Sequence, residues 1–291
     1  STWQSFTEVL EIDNVYAAPD INAEGEEGVS IFIDTEPTQS TGYFRYEYEE
    51  TFKIVAPNWN AFEANIVSRD PEDPIVELVL RPQPNRICYK DSLSTNIILA
   101  STDNVGSNQL TRLPLRFIKR DNYLIEDRYS ILVKQFSQNV EAFEFYTILR
   151  DLSSSANFFT ELQPGFVAGN LSVENDDEEN VVGFFNVSGV SEKRLFFNYE
   201  DIFLDDQVVD FDFPSSCREF APPLTGMNGP DGLLSDSPLI TSLDMGFIVY
   251  QETEDFITIP DGFEGPYVLV PRVCGDCTVL GNAEEPDFWI E

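Results

Sequence analysis

Apolar and polar residues alternate most cleanly between Tyr43 and Val55. Phe44, Tyr46, Tyr48, Phe52 and Ile54 fall on one face, and Arg45, Glu47, Glu49, Thr51 and Lys53 on the other. Successive strand side chains point to opposite faces, so this pattern predicts an antiparallel strand with one buried face. The aromatic face could also serve as a platform for sugar or peptide, but at this spacing burial in a core is the plainer reading.

Shorter apolar runs predict strands at 29–33, 87–89, 96–102, 113–119, 129–136 and 267–273. Two hairpins are expected, one from 181–187 and 194–199 across Ser188-Gly189, the other from 247–250 and 256–259. One segment carries the helical period: Ala142, Phe145, Tyr146, Leu149 and Leu152 make a stripe within about 138–153, with Ser137 or Asn139 as the cap. Residues 1–30 read as an irregular acidic lead-in with a short strand at 8–12. Pro71, Pro74, Pro82 and Pro84 punctuate loops around an apolar piece at 75–80. Gln163-Pro164-Gly165 reads as a turn, and 205–245, rich in Asp, Pro, Gly and Ser, as a long loop region. The sum is a mainly β chain, an antiparallel β-sandwich-like domain with one covering amphipathic helix. No repeat or composition break divides it, so a single domain over 1–291 is expected, ending in a cysteine-containing tail at 274–291.

Charge narrows function more than fold. Lys and Arg number 17 against 52 Asp and Glu, a formal net charge of −35. Such a field repels phosphate backbones, which excludes nucleic acid as a partner. No apolar run approaches the roughly 18 residues of a membrane-spanning helix, and no signal peptide is visible at Ser1. Histidine is absent. That removes Ser-His-Asp and Cys-His nucleophiles and His-ligated metals, leaving carboxylates, Lys or Tyr for proton transfer.

The four cysteines are Cys88, Cys217, Cys274 and Cys277. Cys274-Gly-Asp-Cys277 has the spacing of a redox pair or of half a zinc site. No helix signal follows it to lower a thiol pKa, and no second short-spaced pair completes a zinc set. Structural disulfides are therefore expected, with the tail tied to Cys217 or Cys88, because an adjacent bond would close almost no loop. No catalytic, metal or cofactor-binding residues are assigned. The acidic stretch 174–179 offers hard oxygen ligands to a surface calcium ion, with a solvated loop as the preferred reading. Asp20-Ile-Asn22-Ala-Glu24-Gly25 resembles the front of a calcium loop but has Ile31 where the bidentate Glu belongs. Asn170-Leu-Ser172 and Asn186-Val-Ser188 match a short glycan-acceptor pattern that carries little weight. Paired carboxylates for glycoside hydrolysis arise by chance among so many acids.

Taken in order, several blocks resemble one family. They are Tyr43-Phe-Arg-Tyr-Glu-Tyr-Glu-Glu-Thr51, Arg86-Ile-Cys88-Tyr89 and Tyr129-Ser-Ile-Leu-Val-Lys-Gln135. Glu141-Ala-Phe-Glu-Phe-Tyr146, Pro164-Gly-Phe-Val-Ala-Gly-Asn170 and Val182-Gly-Phe-Phe185 follow, then Cys274-Gly-Asp-Cys277 and Pro286-Asp-Phe-Trp289. From about residue 8 to the end the chain resembles the family described as domain of unknown function 4249, predicted outer-membrane lipoproteins of Bacteroidota. The resemblance implies the C-terminal two-thirds of such a protein, without the lipoprotein signal and immunoglobulin-like segment that open other members. It implies membrane attachment through a lipid anchor not present in this chain, and a location on the outer membrane at the cell surface. It also implies an outer-membrane β-barrel partner, a TonB-dependent transporter. In that setting Asp91-Ser92-Leu93 looks like an O-glycan acceptor, with an ordinary turn as the bland alternative.

The expected function is thus a non-enzymatic accessory lipoprotein that assists capture or uptake of a peptide or glycan. The alternatives are an assembly subunit of an outer-membrane machine and, behind it, a carboxylate-based hydrolase.

Overall fold

The computed structural model describes residues 7–83, 85–103, 105–106, 108–154, 169–171, 183–204, 207–229, 233–255 and 262–291. In chain order the strands are β1 (Ile12–Ile21), β2 (Glu27–Thr35), β3 (Tyr43–Val55), β4 (Phe62–Asp70), β5 (Asp73–Leu80) and β6 (Ile87–Leu93). Then come β7 (Ile98–Ser101), β8 (Leu113–Lys119), β9 (Arg128–Gln138), β10 (Val190–Asn198), β11 (Phe247–Glu252) and β12 (Tyr267–Pro271). The helices are α1 (Val140–Ser154), α2 (Tyr199–Ile202), α3 (Pro238–Asp244) and α4 (Arg272–Gly275). The chain is mainly β with few helices and antiparallel sheets, consistent with the sandwich-like class. Its residues gather into two compact units, Ser1–Thr51 with Ser92–Arg120 and Tyr129–Asp206, and Phe52–Asp91 with Asp121–Arg128 and Gln207–Glu291.

In the first unit, β1, β2 and β8 form one sheet with β2 at its centre. Val29, Ile31 and Ile33 of β2 are fully buried. The close approach of β8 requires Gly28, because a Cβ there would meet the Ile118 carbonyl oxygen at 2.2 Å. The β1–β2 turn is held by Asn22, whose Oδ1 accepts from the Glu24 and Glu26 amides at 3.1 and 2.8 Å. The calcium-like stretch from Asp20 is therefore a hairpin turn. In the same unit β10, β9 and β3 lie side by side with β7 also on β3, and Phe44, Tyr46, Tyr129, Ile131 and Val133 build the core. The aromatic face of β3 is thus core, as its period indicates. Asn139 is the α1 cap, its Oδ1 accepting from the Ala142 amide at 2.8 Å.

In the second unit, β4 pairs with β5 and β11 with β12. Val76, Leu239, Ile240, Val249 and Leu269 form a core between these hairpins and α3. Removing such side chains from water supplies most of the drive for their assembly.

Several expectations are corrected. The lead-in over 1–30 contains β1 and the start of β2. Only Ile12 and Val15 of β1 are buried, so no alternation marks it, and its full-length register with β2 supplies the order instead. The proline-punctuated region is a hairpin rather than loops, with Pro71 in the turn and Pro74 at the start of β5, where a missing N–H is tolerated. Residues 183–189 hold no strand, and β10 pairs with β9 instead of closing a hairpin on them. β11 takes β12 as its partner, and 256–259 lie outside the described residues. The 205–245 region contains α3, too short to show a period but capped by Ser237, whose Oγ accepts from the Ile240 amide at 3.2 Å, with Pro238 at its first position. Asp91-Ser92-Leu93 ends β6 and is not a turn. The turn at 163–165, the acidic stretch 174–179, Ser172 and residues 181–182 also lie outside the described residues.

Candidate functional site

All four cysteines are oxidised. Cys88 bonds to Cys277 and Cys217 to Cys274, so both tail cysteines are tied to the distant residues foreseen for them. No thiol remains for redox chemistry or metal binding. Between the two tail cysteines sits Asp276, 4% exposed. Its carboxylate accepts from the Thr278 amide at 3.1 Å and Thr278 Oγ1 at 2.5 Å, and from Arg272 Nε at 2.9 Å. The Asn85 side chain adds a further bond. Burial raises the Asp276 pKa, but these donors outweigh burial and hold it below the ordinary carboxylate value.

The disulfides thereby bring the tail beside the segment that follows β5. Together with β4, β11 and the end of α3 they enclose a cavity of about 530 Å³ in the second unit. Ile66, Phe247 and Val249 supply an apolar wall; Arg81, Arg272, Glu63, Asp244 and Asp276 supply charge. Two of these acids are matched. Asp276 holds Arg272, and Asp244 takes a two-pronged contact from Arg69 at 2.7 and 2.9 Å.

Arg81 is different. Its guanidinium makes one long hydrogen bond, from Nε to the Phe62 carbonyl at 3.3 Å. Its Nη2 is buried with no acceptor. Burial lowers its pKa, and neighbouring Arg272 lowers it further, while Asp276 and Glu63 act in the opposite direction. A guanidinium arm withdrawn from water without a partner is costly, by about 1–3 kcal/mol. Arg81 also lines the cavity, so a turn of its guanidinium would bring this donor to an anion there.

The first unit contains a second buried charge, which sequence reasoning passed over. Glu50 lies in phase with Tyr46, Tyr48 and Phe52 on the buried face of β3, and is 3% exposed. Its Oε1 accepts from Arg116 Nε at 2.8 Å and the Tyr129 hydroxyl at 2.5 Å. Burial, with Glu50 adding to it, pushes the Tyr129 hydroxyl well above its usual pKa. The network is closed and structural. The signal was present in the sequence, as a lone carboxylate in register with aromatic neighbours. Nothing of that kind marked Arg81 or Asp276.

The remaining candidates are placed as follows. Asn186 Nδ2 donates to Gln138 and Ser188 at 2.7 Å, and the Asn170 amide bonds the Phe185 backbone at both ends, so each serves the local fold. Asp121, Glu126, Asp210 and Asp212 line an acidic depression in the second unit. Among the described residues no group of three or more acids or cysteines is placed to hold a metal ion.

The family model described as domain of unknown function (DUF4249) matches residues 1–194. The chain belongs to that family. The matched family region contains β4 and Arg81, while β11, Arg272, Asp276 and the tail lie beyond it. No curated protein and no solved structure matches the chain.

Proposed function

We propose that the protein is a non-enzymatic accessory lipoprotein on the outer-membrane surface of a Bacteroidota cell. It works beside a TonB-dependent β-barrel transporter, and its second-unit cavity holds a small nutrient, peptide or glycan, before uptake. The observation that carries this reading is the cavity itself, with one apolar wall and a guanidinium whose hydrogen-bonding capacity the protein leaves unused. Concave sites that pair apolar walls with a few placed polar groups are the usual form of small-ligand sites. Two disulfides suit an oxidising, exported location. The acidic excess suits a soluble surface in contact with ionic medium.

The test is purification from native membranes in mild detergent, with the barrel left intact. The expected result is a stable complex with a barrel protein that retains small peptides or glycans. Recovery of the protein only as a monomer overturns the partnership. A complex that binds no nutrient, and whose depletion causes a general envelope defect, favours an assembly subunit instead.

A further inference from the structure

We propose that the cavity is a carboxylate site, with Arg81 as its anchor, and that its ligand is the C-terminal end of a short peptide rather than a neutral glycan. This rests on the reading of the cavity as a capture site and adds the chemistry of what is captured.

Three observations converge. First, Arg81 lines the cavity, its guanidinium is tied by a single 3.3 Å hydrogen bond, and its Nη2, buried in the present rotamer, has no acceptor and gains one if the group turns toward a bound anion. A planar guanidinium fork matches a carboxylate in a two-point contact, which a sugar hydroxyl does not reproduce. Second, the protein's own acids there are committed. Asp276 is saturated by Thr278, Arg272 and Asn85, and Asp244 is paired with Arg69. Arg272 is close enough to depress the Arg81 pKa. An anion in the cavity offsets that contribution as well as satisfying Arg81. In a chain of net charge −35, a lining of two arginines against three acids, two of them already matched, is far less acidic than the chain as a whole. Third, Ile66, Phe247 and Val249 present an apolar wall in the same cavity. β4 and β11, which border it, are each paired with one strand among the named sheets. An apolar side chain fits the wall, and peptide groups can bond the strand that borders it. That combination describes a peptide end better than a simple inorganic anion. Glu63 is the opposing group, a lining carboxylate that acts electrostatically on Arg81. It competes with the incoming carboxylate.

The experiment uses the purified full chain at low salt and three probe pools: mixed tripeptides with free C-termini, the same tripeptides as C-terminal amides, and mixed neutral oligosaccharides. Binding is read by calorimetry and by the Arg81 Nε–Hε resonance. The free-acid pool is expected to bind at least tenfold more tightly than the amides and to shift that resonance. Arg81→Gln is expected to erase the preference, Arg81→Lys to retain part of it, and Glu63→Gln to tighten free-acid binding several-fold. A purely structural arginine would not produce that pair of opposite effects. Thermal melting confirms that each variant is folded, and the resonance in the unmodified protein needs no variant. Equal binding of acids and amides, or an Arg81 signal that stays unmoved while acids bind, overturns the carboxylate assignment. Tight binding of the oligosaccharides alone also overturns it, yet leaves the capture reading standing. Failure of all three pools to bind overturns both.

Discussion

Arg116 in the first unit and Arg81 in the second are both partly buried arginines, and they end differently. Arg116 meets Glu50 at 2.8 Å, and although burial works against its charge, Glu50 outweighs burial and raises its pKa. Arg81 meets a single carbonyl at 3.3 Å, and burial lowers its pKa. One charge is satisfied from within and serves packing; the other is only partly satisfied and lies beside a cavity. A buried polar group without a partner is costly to stability, so its presence beside a cavity points to a use outside folding. The units differ in a parallel way. The unit that holds Arg81 and its cavity contains both disulfides, and the unit that holds Arg116 contains none.

The largest expected effect tests that last contrast. Replacing Cys88 and Cys277 by Ser opens a link between residues 189 apart in sequence, and replacing Cys217 and Cys274 opens one spanning 57. Chain-entropy arguments give about 5 and about 4 kcal/mol for loops of these sizes. Hydrogen exchange should show protection falling in β11, β12 and the tail while β2 and β9 keep theirs. Equal loss in both units breaks the comparison.

Next in size is Glu50→Ala, which leaves Arg116 and the Tyr129 hydroxyl without their acceptor. A loss of about 3 kcal/mol in urea denaturation is expected, with part recovered when Arg116→Met is added. Simple additivity of the two changes would show that the pair is not coupled.

Asp276→Asn should cost about 2 kcal/mol, since charge-assisted bonds at a nearly buried carboxylate are lost. Its folded pKa lies below the unfolded value, so its stabilisation is full above the unfolded pKa of about 3.9 and disappears as pH falls through the folded one. The stability gap between the unmodified protein and the variant should therefore hold from neutral pH down to about pH 5 and shrink below about pH 4. A gap that is flat across this range would remove Asp276 from the acid response.

The smallest effect is the sharpest test of the comparison. Arg81→Met removes an unmatched donor and keeps most of the side-chain volume, so stability should change by no more than about 1 kcal/mol, in the stabilising direction. Arg116→Met, with Glu50 left in place, should be clearly destabilising. If both substitutions cost the same, the two arginines are equivalent and the cavity loses its special character.

Legibility followed the range of the interactions. β3 and α1 were readable because a period of two or of 3.6 is written in neighbouring residues, though the choice of Asn139 over Ser137 as the cap came from the structure. The β4–β5 hairpin was not, because its prolines stand at positions where the sheet tolerates them and its buried face is covered by α3 and β11, far along the chain. Glu50 was half legible: its phase was visible, but its partners Arg116 and Tyr129 arrive from other strands.

The sequence by itself determined the mainly β class, the central aromatic strand, the capped helix, the absence of histidine chemistry, the acidic field and the family blocks. Only the tertiary structure decided the pairing of Cys88 with Cys277 and of Cys217 with Cys274, the closure of Glu50 on Arg116, and the placing of Arg81 beside a cavity completed by the tail. The reason is physical. Periodicity and capping are local and repeat within a few residues, whereas which charge finds a partner, and which is left open, depends on groups that only folding brings within hydrogen-bond reach.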